Sequence, residues 1–278
     1  MWSLPWQMVG GAVTIVVPAA VLVLKAAWKP PARRVKISTV HVENETRATE
    51  AQLAAFAPLQ KYVQNLKSGL LSDTKIELQS ITALYAYMFG EKVGFLLLDV
   101  AITTKDANDR VMRMPGGVLL RGPSVAILIW QVDSQDVLWV MLVKQPRVCT
   151  GDYVHEMPAG MLADNSFLGT AFNELKTEAG LDVNNADLQK LSTVPMYTSP
   201  GLLDEGTVVY ALHRDDLRDH AATVVVEDLG ETEENEIISD VVAVPHDHKL
   251  AQRDMKLQAA IKMAASNNIF PAKVLCRH

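Results

Sequence analysis

Between Glu156 and Leu181 the chain reads EMPAGMLADNSFLGTAFNELKTEAGL: a strand end, a loop containing glycine, a helix and a closing glycine. The helical part places Leu168, Ala171, Phe172, Leu175 and Ala179 at i, i+3, i+4, i+7 and i+11, an apolar stripe that has to be buried. Glu174 and Glu178, four residues apart, are read as lying together on the flank of that stripe. Like charges at this spacing cost a helix roughly 0.2–0.5 kcal/mol unless something neutralises them. A divalent cation does so, and Mg²⁺ commonly takes one or two protein carboxylates together with substrate phosphates. Gly180 stands in the helix-stop position, where a left-handed residue is needed.

With 278 residues the chain has room for one medium domain with an extension, or for two smaller ones. A formal net charge of −6, and no basic patch interleaved with aromatics, give no reason to expect nucleic acid as a partner. Cys149 and Cys276 are too few and too far apart for a disulfide framework or a metal site. The seven histidines, His246 and His248 among them, show no paired metal spacing and are read as surface residues.

Leu4 to Leu24 is an uncharged run of 21 residues, long enough as a helix to span a hydrocarbon core of roughly 30 Å. Trp2, Trp6 and Trp28 flank it, and Lys25, Lys29, Arg33 and Arg34 follow it. A cleaved signal peptide has a positive start and a shorter apolar core, neither of which is present. The flanking charges favour an uncleaved single-pass anchor, with the rest of the chain on the side that collects positive charge, in the cytosol or the mitochondrial matrix.

Beyond Lys29–Arg34, a stiff Pro-containing linker, Val35–Glu43 alternates as a strand does. Thr49–Leu70 is helix-like, with Leu53, Phe56, Leu59, Tyr62, Val63 and Leu66 at helical spacing, and Ile76–Met88 fits either a helix or a strand. Val93–Thr103 and Val118–Leu120 read as strands, separated by turn signals at 106–109 and 115–117. Val125–Val132 and Val137–Val143 form a hairpin around the polar residues 133–136. Further strands are expected at Val208–Leu212, Thr223–Glu227 and Val241–Val244. An amphipathic helix is expected at Lys249–Ala265, with Leu250, Leu257, Ala260, Ile261 and Ala264 turned inward. Strands on both sides of one central helix, with a terminal helix, imply a mixed sheet covered on both faces.

The stretch from Gly160 to Leu181 resembles the Nudix box, G-x5-E-x7-R-E-U-x-E-E-x-G-U, where U is a bulky aliphatic residue. The resemblance extends through Arg121–Ala126, Lys144–Val148, Glu156–Leu162, Phe167–Ala171, Ser199–Gly201 and Asp204-Glu205. Together these are similar to the nucleoside-diphosphate-sugar pyrophosphatases, the ADP-ribose and ADP- or UDP-sugar branch of the Nudix hydrolases, over about Arg121 to Pro245. The chain departs from the box where its Arg is Asn173 and where the first Glu of its EE pair is Thr177. The first acidic position holds Asn165 or Ser166, and the opening loop is one residue short.

The resemblance implies an α/β fold, a Nudix-type αβα sandwich with a mixed sheet, here preceded by one transmembrane helix. Together with the apolar run at 4–24, it divides the chain into 1–34 (anchor and linker), 35–115 (a smaller region for dimerisation or docking) and 116–278 (the Nudix-like domain). It implies Mg²⁺ held by Glu174, Glu178 and the Ala159 carbonyl, and substrate-facing roles for Arg147 and Glu156. A general base is expected in the acidic run Glu231–Glu236, with Glu236 first and Glu234 second. Two readings stay open. One is a membrane-anchored hydrolase that splits the pyrophosphate of a nucleotide sugar. The other, motivated by the departures, is a pseudoenzyme: an accessory subunit of a mitochondrial inner-membrane, respiratory-type complex, with its domain in the matrix.

Overall fold

Apolar alternation with a period of two builds two separate sheets in the computed structural model, which describes residues 33–162, 166–183, 187–224, 237–271 and 274. The first contains β1 (Arg33–Ile37), β2 (Val40–Asn44), β3 (Ile76–Phe89), β4 (Lys92–Lys105), β5 (Val111–Arg113) and β6 (Gly117–Leu120). They run in the order β1-β2-β3-β4-β5, with β6 also paired to β4. The residues from Val35 to Glu43, expected as a single strand, are a hairpin instead. Ser38, at φ 56°, turns the chain between β1 and β2, which pair antiparallel. The open segment 76–88 is a strand.

Two helices, α1 (Glu50–Ala55) and α2 (Ala57–Ser68), replace the single helix read between Thr49 and Leu70. Phe56, extended at ψ 100°, breaks the run, and Pro58, in the first turn of α2, lacks the N–H that a continuous helix would donate to the Ala54 carbonyl. Thr49 caps α1 by a reciprocal exchange of hydrogen bonds with Gln52. Leu53, Leu59, Val63 and Leu66 pack on Ile81, Leu96, Leu98, Val100 and Leu120, the first core. On the opposite face of β4, Phe95 packs edge-on to Phe89, and Tyr85 and Tyr87 of β3 are exposed.

The second sheet contains β7 (Ser124–Val132), β8 (Leu138–Arg147), β9 (Asp152–Glu156), β10 (Ala159–Met161), β11 (Leu188–Lys190), β12 (Met196–Tyr197), β13 (Gly206–His213) and β14 (Asp240–Pro245). Its main order is β11-β13-β7-β8-β14, with β13 parallel to β7 and β14 antiparallel to β8. Alternate residues of β7 serve two cores. Val125, Ile127 and Ile129 pack beneath α3 (Phe167–Ala179) and α4 (Leu217–Thr223), while Ala126, Leu128 and Trp130 pack on α5 (Met255–Ser266). The expected covering of a mixed sheet on both faces is therefore present.

Two expectations in this half need correction. Thr223 ends α4 rather than beginning a strand, and 225–227 lie outside the described residues. The last helix starts at Met255 rather than Lys249, because Asp254 caps it by accepting the Lys256 N–H at 2.8 Å. Among the described residues no helix is long and apolar enough to cross a membrane; the run 4–24 lies outside them.

β7 and β8 pair only at Trp130–Val132 and then part. β13 occupies one edge of β7, so β10, paired at Ser124–Ala126, takes the other edge, in the split opened by β8. β9 pairs with the far half of β8, and Met157-Pro158 carries the chain across.

The two sheets meet at a clasp. Leu119 donates its N–H to Leu202 O at 2.8 Å, and the Asp204 carboxylate accepts the N–H groups of Arg121 and Gly122 at 2.6 and 3.0 Å. The Arg121 guanidinium lies 5.5 Å from the centroid of Phe95, pairs with Glu205 at 3.3 Å and donates from Nε to Met161 Sδ at 2.9 Å. Burial raises the Asp204 pKa above its ordinary 3.8, against the lowering effect of those two amides.

Leu128 has no exposed surface, so Leu128→Ala is expected to lower unfolding free energy by about 2–5 kcal/mol, seen as a lower urea midpoint at unchanged slope. For Asp204 the folded-state pKa exceeds the unfolded one, so its contribution is fully present below about pH 4 and is lost as pH rises through the raised value. Urea unfolding of the wild type should accordingly weaken relative to Asp204→Asn between pH 4 and 7. A difference that grows the other way contradicts the burial argument.

Candidate functional site

Sequence spacing on β8 decides what faces α3. Met141 and Val143 point into the core beneath that helix, so Gln145 and Arg147, two and four residues on, belong to the same face. Glu156 pairs opposite Val143 and joins them. Residues directly opposite across a ladder share a side, which lets Arg147 Nε donate to Glu156 Oε1 at 2.6 Å. The pair is partly screened from solvent. The two residues expected to face substrate are thus ion-paired to each other, at the open end of the split.

Above them, α3 begins at Ser166, whose Oγ accepts the Gly169 N–H at 3.0 Å, and ends at Gly180, which adopts φ 64° as its stop position requires. Glu178 is not on the helix flank. It has no exposed surface, and the reason is geometric: seven residues from Ala171, it drifts only about 20° around the helix and falls on the apolar stripe. A carboxylate in such a place needs hydrogen bonds. Glu178 Oε1 accepts from Gln145 Nε2 at 2.5 Å, and Oε2 accepts from Ala159 N–H at 2.9 Å.

Glu174 is half-buried and reaches the neighbouring residue of the same strand. A Cβ added to Gly160 would stand 1.7 Å from Glu174 Oε1 and 2.2 Å from its Cδ, so any larger residue there obliges the Glu174 carboxyl to shift. The two glutamates therefore converge on Ala159 and Gly160 at the split. Thr177 and Asn173 take no part: Asn173 is exposed, and the Thr177 hydroxyl donates to Asn173 O at 2.9 Å along the helix. The candidate bases Glu234 and Glu236 lie outside the described residues.

Sequence reasoning passed over Gln145, although the motif containing it was read. It is only 2% exposed, and its Oε1 has no hydrogen-bond partner. A carboxylate such as Glu178 only accepts, so the amide must turn its NH₂ toward it, leaving the carbonyl as a buried acceptor that costs about 1–3 kcal/mol. The strand alternation that places Met141 and Val143 under α3 was the signal that points to this residue.

Two carboxylates and an amide oxygen are hard oxygen donors, the chemistry that suits Mg²⁺ or Mn²⁺. Among the described residues no group of three or more His, Cys, Asp or Glu gathers, so a cation here would complete its shell with water and phosphate. Within that limit the residues fit a divalent ion.

No family model matches the chain. In sequence it is 35% identical over 160 residues to "Nudix hydrolase 14, chloroplastic" of Arabidopsis thaliana, a match that takes in 54% of this chain and 50% of that protein. The chain thus spans half the length of the curated relative it matches. The resemblance to the Nudix hydrolases read from the motifs is borne out by this relative. In structure, a chain titled "Crystal structure of ADP compounds hydrolase" aligns with a TM-score of 0.47 at 16% identity, covering 69% of this chain and 93% of that one.

Gly160→Ala is expected to cost about 1–3 kcal/mol by forcing Glu174 aside, and adding Glu174→Ala should recover most of that loss. Urea unfolding of the single and double variants measures it. Equal stability of the two variants would refute the contact.

Proposed function

We propose that the chain hydrolyses the pyrophosphate linkage of a nucleoside diphosphate joined to a sugar or similar group, with a divalent cation held by Glu174 and Glu178. The observation that carries this reading is the convergence of both carboxylates on Ala159 and Gly160 within the split between β7 and β8. When bound, the cation neutralises phosphate oxygens and lowers the pKa of a coordinated water. Glu178 is kept in place by Gln145 and the Ala159 amide, so its carboxylate does not reorient when an ion enters. The Ala159 carbonyl is the third protein oxygen this reading assigns to the ion. Arg147 offers a guanidinium suited to a phosphate, and Glu156 orients it. Glu236, with Glu234 as second choice, takes the proton from the attacking water. Attachment through residues 4–24 to the mitochondrial inner membrane, with the domain in the matrix, completes the proposal.

A second reading, the accessory subunit of a membrane complex, is favoured by one observation. Thr177 and Asn173, which stand where the box has charged residues, spend their polar groups along the helix or in solvent. That removes charge from the helix turns that carry Glu174 and Glu178.

The full chain in mild detergent, given Mg²⁺ with ADP-ribose, ADP-glucose or UDP-glucose, is expected to release AMP or UMP. Glu178→Gln should slow this at least tenfold, as losses in a metal site commonly do. Wild-type turnover no faster than that of the variant would end the hydrolase reading in favour of the accessory subunit.

A further inference from the structure

Gln145 carries a buried side-chain oxygen next to Glu178 that has no hydrogen-bond partner among the described residues. Its NH₂ group is committed to Glu178, and its position on the α3 face of β8 is fixed by the strand alternation. The side chain is 2% exposed, so bulk water does not satisfy Oε1. Buried acceptors of this kind are uncommon in folded proteins, and an ion or its bound water is a recognised reason for one. The orientation is set by chemistry, since the reverse arrangement would press the amide oxygen against a carboxylate oxygen.

We infer that Gln145 is part of the cation site: its side-chain carbonyl is a neutral oxygen within the hydration sphere of the divalent ion held by Glu174 and Glu178. The inference rests on the proposed cation site and goes beyond it, because it assigns a residue to the ion that the helix motif does not contain. It also gives the amide two tasks at once. The NH₂ end holds and aims Glu178, while the carbonyl end adds a donor without adding charge to a site that already has two carboxyl groups.

A charge swap separates this role from mere support of Glu178. In the variant Gln145→Glu with Glu178→Gln, the amide–carboxylate hydrogen bond is kept with its ends exchanged. Residue 178 still offers an oxygen to the Ala159 N–H, and net charge is unchanged. Mn²⁺ binding to the full chain in mild detergent, followed by electron paramagnetic resonance of the free ion, reads the outcome without any substrate. Glu178→Gln alone is expected to weaken binding at least tenfold, and the swap to restore at least tenfold of that loss. If the swap binds Mn²⁺ as weakly as Glu178→Gln, Gln145 does not face the ion and the inference falls. Failure of the wild type itself to bind Mn²⁺ overturns the cation site as a whole, an outcome distinct from an inert swap.

Discussion

Two buried carboxylates hold the segment Met157–Gly160 where it crosses the split in the second sheet. Asp254, at the start of α5, accepts the Met157 N–H at 2.9 Å from one face, and Glu178, near the end of α3, accepts the Ala159 N–H from the other. Between them Pro158 gives its carbonyl to the Ile127 N–H at 2.9 Å. The backbone is therefore gripped from above, from below and from the side, within four residues. Charge-assisted bonds of this sort are about twice as strong as neutral ones, and the low dielectric of the interior strengthens them further. The apolar cores on either face supply the bulk of the stability, but they do not set the path of this strand. The two acids do.

Much of the second sheet was legible in the sequence because both faces of it are buried. The runs at 125–130, 137–143, 208–212 and 241–244 are apolar on consecutive residues, and the structure uses each run on both faces. The first sheet was harder to read. Its residues 76–88 mix apolar and exposed positions, with register irregularities between β3 and β4 that blur the alternation. The β1–β2 turn depends on Ser38 in a left-handed conformation, which its residue type does not announce. The break between α1 and α2 was marked by Pro58, yet the helical spacing of apolar residues continues across it and masks the interruption.

The site was legible to a different degree. That Glu174 and Glu178 share a helix face followed from their spacing, and Gly160 from the motif. The two glutamates are not alike, though. Glu178 lies within the stripe that contains Ala171 and is sealed, while Glu174 stays half-exposed. A reading by i, i+4 neighbours alone misses this, because it asks which residues touch each other and not which face the sheet. The place of Gln145 was available from the alternation of β8, whereas the pairing of Arg147 with Glu156 depends on the register of β8 against β9, which neither strand's own alternation encodes.

The clasp at Arg121 joins what the two cores alone would leave as neighbours. One guanidinium rests on an aromatic ring of the first sheet, pairs with Glu205 at the entry to β13 and donates to Met161, the residue after Gly160. The Arg121 side chain thereby links the first sheet to β10, beside the Leu119–Leu202 and Asp204 bonds of the same clasp. Coupling follows from this arrangement: the contacts that tie the first core to the second also hold Met161, so loosening them would free β10, the strand under the glutamates, on the side that faces the first sheet.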